Sequence, residues 1–574
     1  MKNKKTNKTS ILTVISLCCV SAITGSCKVD EKIQPSATYY STVDKTIIPM
    51  AKPAAVSKIN DPADFIKKGY GAWQFGPGIP IEKRMDLMPT GYDATSVTSA
   101  ARLLRFFTMT DIHITDKESP GQGIVFAPMA GSNGISCYAP LMLYTTHMLN
   151  AAVQTINEIH KTSPFDLGLS IGDMANSNQY NELRWFIDIL DGKKINPDSG
   201  TKDDPIAGQN NDYQDEFQAE GLNKEIPWYA TIGNHDHFWL GSAVMSDAMS
   251  KVLTGNTILQ MKNILSSKDP NLYSTGTLDG STLYGTVIGS GRMDTLKNIP
   301  TIAPDAKRHS LSMDEVMNEF SATSTLPGPI GHGFVQSNPA NKFKGSYSFV
   351  PKSAIPLKVI VLDDTQEATD PLSADGVYGH GELNNGRYEW LMEQLKAGQA
   401  ANQLMIISAH VPIGVSPAGS PMSWLPAPGY TSEADLIAQL QAFPNLVLWV
   451  AGHRHLNTVK AFPSTDSMYP ENSFWQVETR SLREFPEQFR TFEIVRNSDN
   501  TISIITIDVD PNIKDGTLAA TGRTYAIASN QIYGLPTAAE IAENGPISYN
   551  ANLVKKLSKT MEAVIAKCGT LITK

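Results

Sequence analysis

Six short apolar runs constrain this chain more than any other feature: RLLRFFTMT (Arg102–Thr110), DLGLSI (Asp166–Ile171), PWYATI (Pro227–Ile232), LKVIVL (Leu357–Leu362), QLMIISA (Gln403–Ala409) and LVLWVA (Leu446–Ala451). Their length and their Val, Ile and aromatic content read as buried strands. Helical spacings lie between several of them. One comprises Leu183, Phe186, Ile187 and Leu190; another Tyr388, Leu391, Met392 and Leu395, with Gly398 placed to end it; a third begins near Pro140 and carries Leu141, Met148, Ala152, Ile156 and Ile159. Strands alternating with helices predict a layered α/β core. The runs SFWQVET, FRTFEIV and TISIITIDV then follow without helices, with RNSDN (Arg496–Asn500) as a hairpin turn between the last two, so the core is expected to end in antiparallel strands.

Five of the six runs lead into polar residues of one chemical kind: Asp111 and His113 in TDIH, Asp173 in IGDM, Asn234, His235 and Asp236 in GNHD, His410 in SAHVP, and His453 and His455 in GHRH. Loops at strand ends are where ligands gather in α/β sheets. Singly, each residue has a bland explanation, since an Asp after a strand is commonly a helix cap and a lone His a satisfied structural group. Together they supply carboxylate, imidazole and amide oxygen without thiolate, the donor set of hard and borderline divalent cations. The same groups converging without a cation would carry a large desolvation cost. In DxH and GHxH, alternate residues of an extended segment point the same way, so both side chains can face one ion.

DxH, GD, GNHD, a lone His after a strand and GHxH, in this order, resemble the signature of the calcineurin-like metallophosphoesterases over roughly Leu103 to Val495. The resemblance implies an α/β fold, a two-layer β-sandwich flanked by α-helices, here with a long insertion and an irregular N-terminal extension. It implies two divalent metal ions at the rim, the first held by Asp111, His113 and His455, the second by Asn234, His410 and His453, with Asp173 bridging. His235 is then a catalytic imidazole near the leaving group, with Asp236 orienting and polarising its ring; His237 is given no role and is read as lying behind the ligands or exposed. The implied reaction is hydrolysis of a phosphomonoester or phosphodiester by a bridging hydroxide, with no covalent intermediate. Imidazole and carboxylate suit Mn, Fe, Zn or Co alike. Purple acid phosphatases, a related branch, carry a tyrosine where this chain has Asn176 and lack the His of DxH. Arg454, between two ligands, is expected to face phosphate or solvent. SLREFPEQFRTFEI (Ser481–Ile494) resembles the segment after GHxH in enzymes close to the diesterase branch. A surface-exposed binding lipoprotein that keeps the fold without turnover is the competing class.

The N-terminus sets the expected location. Lys2, Lys4, Lys5 and Lys8 precede an apolar run from Ile11 to Ile23, the pattern of a secretory signal and too short for a membrane span of roughly 20 residues. ITGSC (Ile23–Cys27) resembles the lipobox of bacterial lipoproteins, which implies a lipid on Cys27 and a periplasm-facing or cell-surface position. Removing four lysines and no acids takes the formal charge from −9 to −13, so nucleic acid is not an expected partner, and membrane contact is expected only through that lipid. The expected partner is a small phosphoester substrate. Cys137 and Cys568 remain as thiols, and their pairing is left open.

The expected organisation is a signal peptide at 1–26, a tether and N-terminal extension at 27–100, the main domain at 101–510 with insertions at about 191–225 and 241–350, and a C-terminal extension at 511–574. Of the aromatic and imidazole side chains in the longer insertion, Tyr273, Tyr284, Phe320, His332 and Phe334 are read first as local core packing. His147, His160 and His309 are read as surface residues.

Overall fold

The apolar runs form two sheets that share one core, in a computed structural model describing residues 39–59, 61–124, 134–201, 204–259, 272–274, 290–292, 295, 297–298, 301–336, 345–370, 378–415, 424, 429–535 and 549–572. The signal peptide, Cys27 and Tyr284 lie outside these residues, as does the side chain of Tyr273. Among the described residues no helix is long and apolar enough to cross a membrane.

In chain order the strands are β1 (Glu82–Leu87), β2 (Ser99–Met109), β3 (Leu167–Ile171), β4 (Trp228–Thr231), β5 (Tyr347–Phe349), β6 (Leu357–Leu362) and β7 (Leu404–Ala409). There follow β8 (Leu446–Ala451), β9 (Thr458–Phe462), β10 (Phe474–Glu478), β11 (Phe489–Asn497), β12 (Ile502–Val509), β13 (Ala551–Lys555) and β14 (Thr570–Leu571). The first sheet runs β1-β13-β12-β11-β2-β3-β4, with β14 also paired to β2; the second runs β5-β6-β7-β8-β10-β9. Strands β2, β3 and β4 are mutually parallel, and so are β6, β7, β8 and β10.

Period-two alternation explains the layering. In the second sheet Val359, Val361, Ile406, Leu448 and Val450 join one buried cluster with Leu169, Ile171 and Trp228 of the first sheet. The alternate residues Ile360, Leu362, Met405, Ile407 and Trp449 pack instead with Leu391 and Leu395 of α3 (Asn385–Ala400) and Leu436 and Leu440 of α4 (Glu433–Leu440). Helices α1 (Thr145–Thr162) and α2 (Tyr180–Leu190) bury their apolar stripes in the same cluster as the first sheet. The α/β architecture expected from the alternation of runs is therefore present, and the helical crossovers aim the ends of the parallel strands at one rim.

Several expectations need correction. The antiparallel ending holds for β11 and β12, which pair Arg496 with Ile502 across the RNSDN turn. FWQVE, however, is β10 of the other sheet and runs parallel to β8. The segment between β10 and β11 crosses from one sheet to the other. Gly398 does not end α3, which runs on to Ala400; it sits in the last turn, where a Cβ would lie 2.5 Å from Met405 Sδ. The segments on either side of 101–510 are woven into the first sheet as β1, β13 and β14. His160 is buried and accepts the Phe165 N–H at Nδ1 (3.0 Å), and His147 packs against Phe217 at 4.6 Å between ring centres. The insertion residues Phe320, His332 and Phe334 are core, as expected, with His332 stacked 3.6 Å from Trp228. Cys137 and Cys568 are both free thiols.

Phe492 of β11 stacks on Phe106 of β2 at 4.8 Å, both fully enclosed at the middle of the first sheet. Phe492→Ala is expected to cost about 3 to 5 kcal/mol, read as a lower urea midpoint with an unchanged slope.

Candidate metal centre

The polar residues beyond β2, β3, β4, β7 and β8 meet at one rim, and local backbone geometry brings them there. Asp111, His113, Asp173, His453 and His455 all have positive φ, between 47° and 72°. Each such non-glycine residue costs on the order of 1 to 2 kcal/mol. Strain of this kind persists where surrounding contacts over-determine it. Here Asp111 N donates to Gly172 O (3.1 Å) and His113 N to Asp173 O (3.0 Å), while the Asp111 carboxylate accepts from Thr110 Oγ1 (2.7 Å) and His453 N (3.0 Å). The shared direction of the DxH and GHxH side chains is thus made by left-handed residues, not by the extended backbone expected from their spacing.

Three donor sets result: Asp111 with His113 and His455, His113 with Asp173 and His235, and Asp173 with His410 and His453; in each, one ligand atom per residue lies within 4.8 Å of the others. Asp173 joins the sets, its Oδ2 lying 3.7 Å from His113 Nε2 and 3.3 Å from His410 Nε2. His455 Nε2 is 3.2 Å from Asp111 Oδ1 and 3.3 Å from His113 Nε2. Asn234 Oδ1 is 3.1 Å from both His410 Nε2 and His453 Nδ1, an orientation fixed by its Nδ2 donating to Gly241 O (3.0 Å). His410 Nδ1 donates to Ile171 O (2.8 Å), which turns its Nε2 towards the centre and ties the second sheet to the first.

The electrostatics is that of a site short of positive charge. Burial opposes protonation of His410, yet Asp173 and Asp111 carry its pKa up to about 10. Burial likewise opposes protonation of His455, and Glu484 and Asp111 carry it up to about 10. Burial also opposes ionisation of Asp173, but His410, His235 and His113 outweigh it and hold the carboxyl well below the usual range. Burial pushes His113 and His453 well down, so their rings stay neutral and keep a lone pair to offer. The protons on His410 and His455 do for the aspartates what bound cations would do. Asp111 Oδ1 is fully buried with His455 Nε2 at 3.2 Å, and His453 Nε2 is fully buried without a hydrogen-bond partner. The carboxylate, imidazole and amide donors, with an orphaned imidazole nitrogen among them, fit divalent cations.

Asp236 does not orient the His235 ring. Its carboxylate accepts the backbone N–H groups of Met174 (3.0 Å), Ala175 (3.1 Å) and Gly233 (3.0 Å), so it shapes the loops around Asp173. The ring is held instead by Asn176, whose carbonyl accepts from His235 Nδ1 at 2.7 Å. Arg454, expected to face phosphate or solvent, is partly buried and engaged by the protein: Nε and Nη2 grip Glu478 at 2.7 and 2.5 Å, and Nη1 donates to Val415 O. His237 Nε2 meets Thr365 Oγ1 at 2.9 Å, away from the donor sets.

Two residues that contact the donor residues escaped the sequence reading. Glu484 Oε2 lies 3.0 Å from His455 Nδ1, and Asp364 accepts the backbone N–H groups of His410 and Val411. Asp364 left a signal, since Asp363-Asp364 follows LKVIVL, the one run to which no ligand was assigned.

No family model and no curated protein matches the chain. Among solved structures, a dimetal phosphatase from Danio rerio aligns with 11% identity and a TM-score of 0.36, over 73% of this chain and 99% of that one. GAP50, the anchor in the inner membrane complex of Plasmodium, aligns with 11% identity and a TM-score of 0.25, over 74% and 95%. Neither superposition is close enough to establish a shared fold.

Gly241, at φ +65°, roofs this centre: a Cβ there would sit 2.3 Å from His235 Cδ2 and 2.4 Å from Asn234 Nδ2. Gly241→Ala is expected to displace both side chains and weaken divalent-metal affinity about tenfold or more, measured by Co2+ titration, while circular dichroism remains that of a folded protein.

Proposed function

We propose that the protein is a metal-dependent phosphoester hydrolase, exported and held at a membrane by a lipid on Cys27, that acts on a small phosphomonoester or phosphodiester. The supporting observation is the convergence of Asp111, His113 and His455 into one donor set and of Asp173, His410 and His453 into another, with Asn234 Oδ1 beside His410 and His453 and Asp173 Oδ2 reaching His113. Asp111, His113 and His455 would hold one divalent cation, Asn234, His410 and His453 the other, with Asp173 between them. When bound, such a pair lowers the pKa of a shared water, orients the phosphorus and neutralises charge on the attacking and departing oxygens.

The remaining chemistry belongs to the chain. With Nδ1–H engaged by the Asn176 carbonyl, His235 keeps Nε2 for the substrate, and its ring stands edge-on to His113 at 4.3 Å. Burial lowers its pKa, so the ring rests neutral with a lone pair on Nε2; once protonated there it is a stronger acid than a free imidazolium and gives its proton readily to a departing alkoxide oxygen. Asp236 keeps the Asp173 and Asn234 loops in register, and Asn234 presents its oxygen because Gly241 takes its N–H. The backbone N–H of His235 donates to Asp173 Oδ1 (2.8 Å), leaving Oδ2 for the centre.

Purified protein supplied with Mn2+, Zn2+ or Co2+ is expected to hydrolyse p-nitrophenyl phosphate or bis-p-nitrophenyl phosphate, and chelation to abolish the activity. His235→Ala is expected to lower kcat by about 10²- to 10⁴-fold, with bound metal, read by elemental analysis, nearly unchanged. A folded, metal-loaded protein inactive on a broad phosphoester panel would leave the binding-lipoprotein reading instead.

A further inference from the structure

The segment that crosses from β10 to β11 runs beneath the centre and buries Arg483, whose side chain is 0% exposed. Its Nη1 donates to Asn176 Oδ1 (3.2 Å), its Nη2 to Ile135 O (2.5 Å), and Nη2 lies 3.3 Å from Glu484 Oε1. Both side-chain partners lead to the site. Asn176 holds His235 through its carbonyl, and Glu484 meets His455 Nδ1 with its other oxygen. The main chain adds a third connection, because Arg483 N donates to Ser481 Oγ (3.1 Å), which itself donates to Asp111 O (2.7 Å).

The geometry points to Arg483 as a positioning residue that holds the metal-ligand histidine His455 and the imidazole His235 in one mutual arrangement, through Glu484 and Asn176. This rests on the hydrolase reading only for the role of His235; the arm to His455 concerns cation binding alone. A buried cation beside a metal centre opposes the metal unless it is paired. Glu484 supplies that pairing and faces the ligand with its second oxygen. A planar guanidinium reaches an amide oxygen, a backbone carbonyl and a carboxylate at once; an ammonium on a flexible stem does not, so lysine is no substitute. Outer-shell partners of this kind change metal affinity or activity by about 10- to 100-fold when removed.

The test compares Arg483→Lys, Arg483→Met, Glu484→Gln, Asn176→Ala and the Glu484→Gln/Asn176→Ala double variant, using Co2+ titration by visible absorption and bis-p-nitrophenyl phosphate kinetics at saturating Co2+. Glu484→Gln is expected to weaken Co2+ binding about tenfold or more with kcat of the loaded enzyme nearly kept, and Asn176→Ala to lower kcat about tenfold or more with Co2+ binding and KM nearly kept. Arg483→Lys should do both, and adding it to the double variant should change neither further. Wild-type Co2+ affinity and kcat in a folded Arg483→Lys protein would overturn the assignment. So would a full-sized Arg483→Lys effect on top of the double variant, or failure of both Arg483 variants to fold, which would make Arg483 a folding residue. If the wild type binds Co2+ but turns over no phosphoester, the hydrolase reading fails separately, and the Co2+ arm still decides whether Arg483 and Glu484 act on His455.

Discussion

The carboxylate of Asp173 is the contact on which the rest of the arrangement depends. It stands between His113, carried by β2 of the first sheet, and His410, carried by β7 of the second, while its other oxygen takes the backbone N–H of His235. A fully buried charge is tolerable only when it is paired and hydrogen-bonded. That requirement ties the two sheets together at one rim: a shift of either would leave the buried carboxylate without one of its partners.

The molecule concentrates its backbone strain at the same place. Five of the seven donors sit at left-handed residues, and each is restrained by a hydrogen bond or by close packing from a neighbouring loop. The apolar faces of the two sheets offset this strain, because Val359, Ile406, Leu448 and their partners are enclosed on every side. The chain thereby separates two tasks. Strand interiors supply stability, and strand ends supply chemistry in a geometry that would not persist without the core behind it.

Around the donors lies a set of groups that touch the site only through others. Asp236 gathers three backbone N–H groups, Asp364 anchors the turn that carries His410, and Glu484 meets the outer nitrogen of His455. Asp236 and Asp364 act by fixing loop positions, whereas Glu484 also acts through its charge, which raises the His455 pKa. Arg454 shows the opposite case: set between two donors in the chain, it turns away to pair with Glu478.

Much was legible in the chain itself. Apolar period and length identified the six runs as strands and three of the helices, though not the 16-residue helix Leu518–Tyr533, because burial on both faces leaves a continuous Val, Ile and Leu run that other elements rarely need. Residue chemistry at the strand ends identified the donors, because carboxylate, imidazole and amide oxygen are the groups that a divalent cation selects. Only the folded chain decided which sheet received Phe474–Glu478, that left-handed residues aim the donors, that Asn176 rather than Asp236 holds His235, and that Glu484 backs His455. Those outcomes depend on contacts between residues as far as 342 positions apart, as for His113 and His455. Local pattern carries no record of them, because a hydrogen bond is chosen by distance and angle in space and not by separation along the chain.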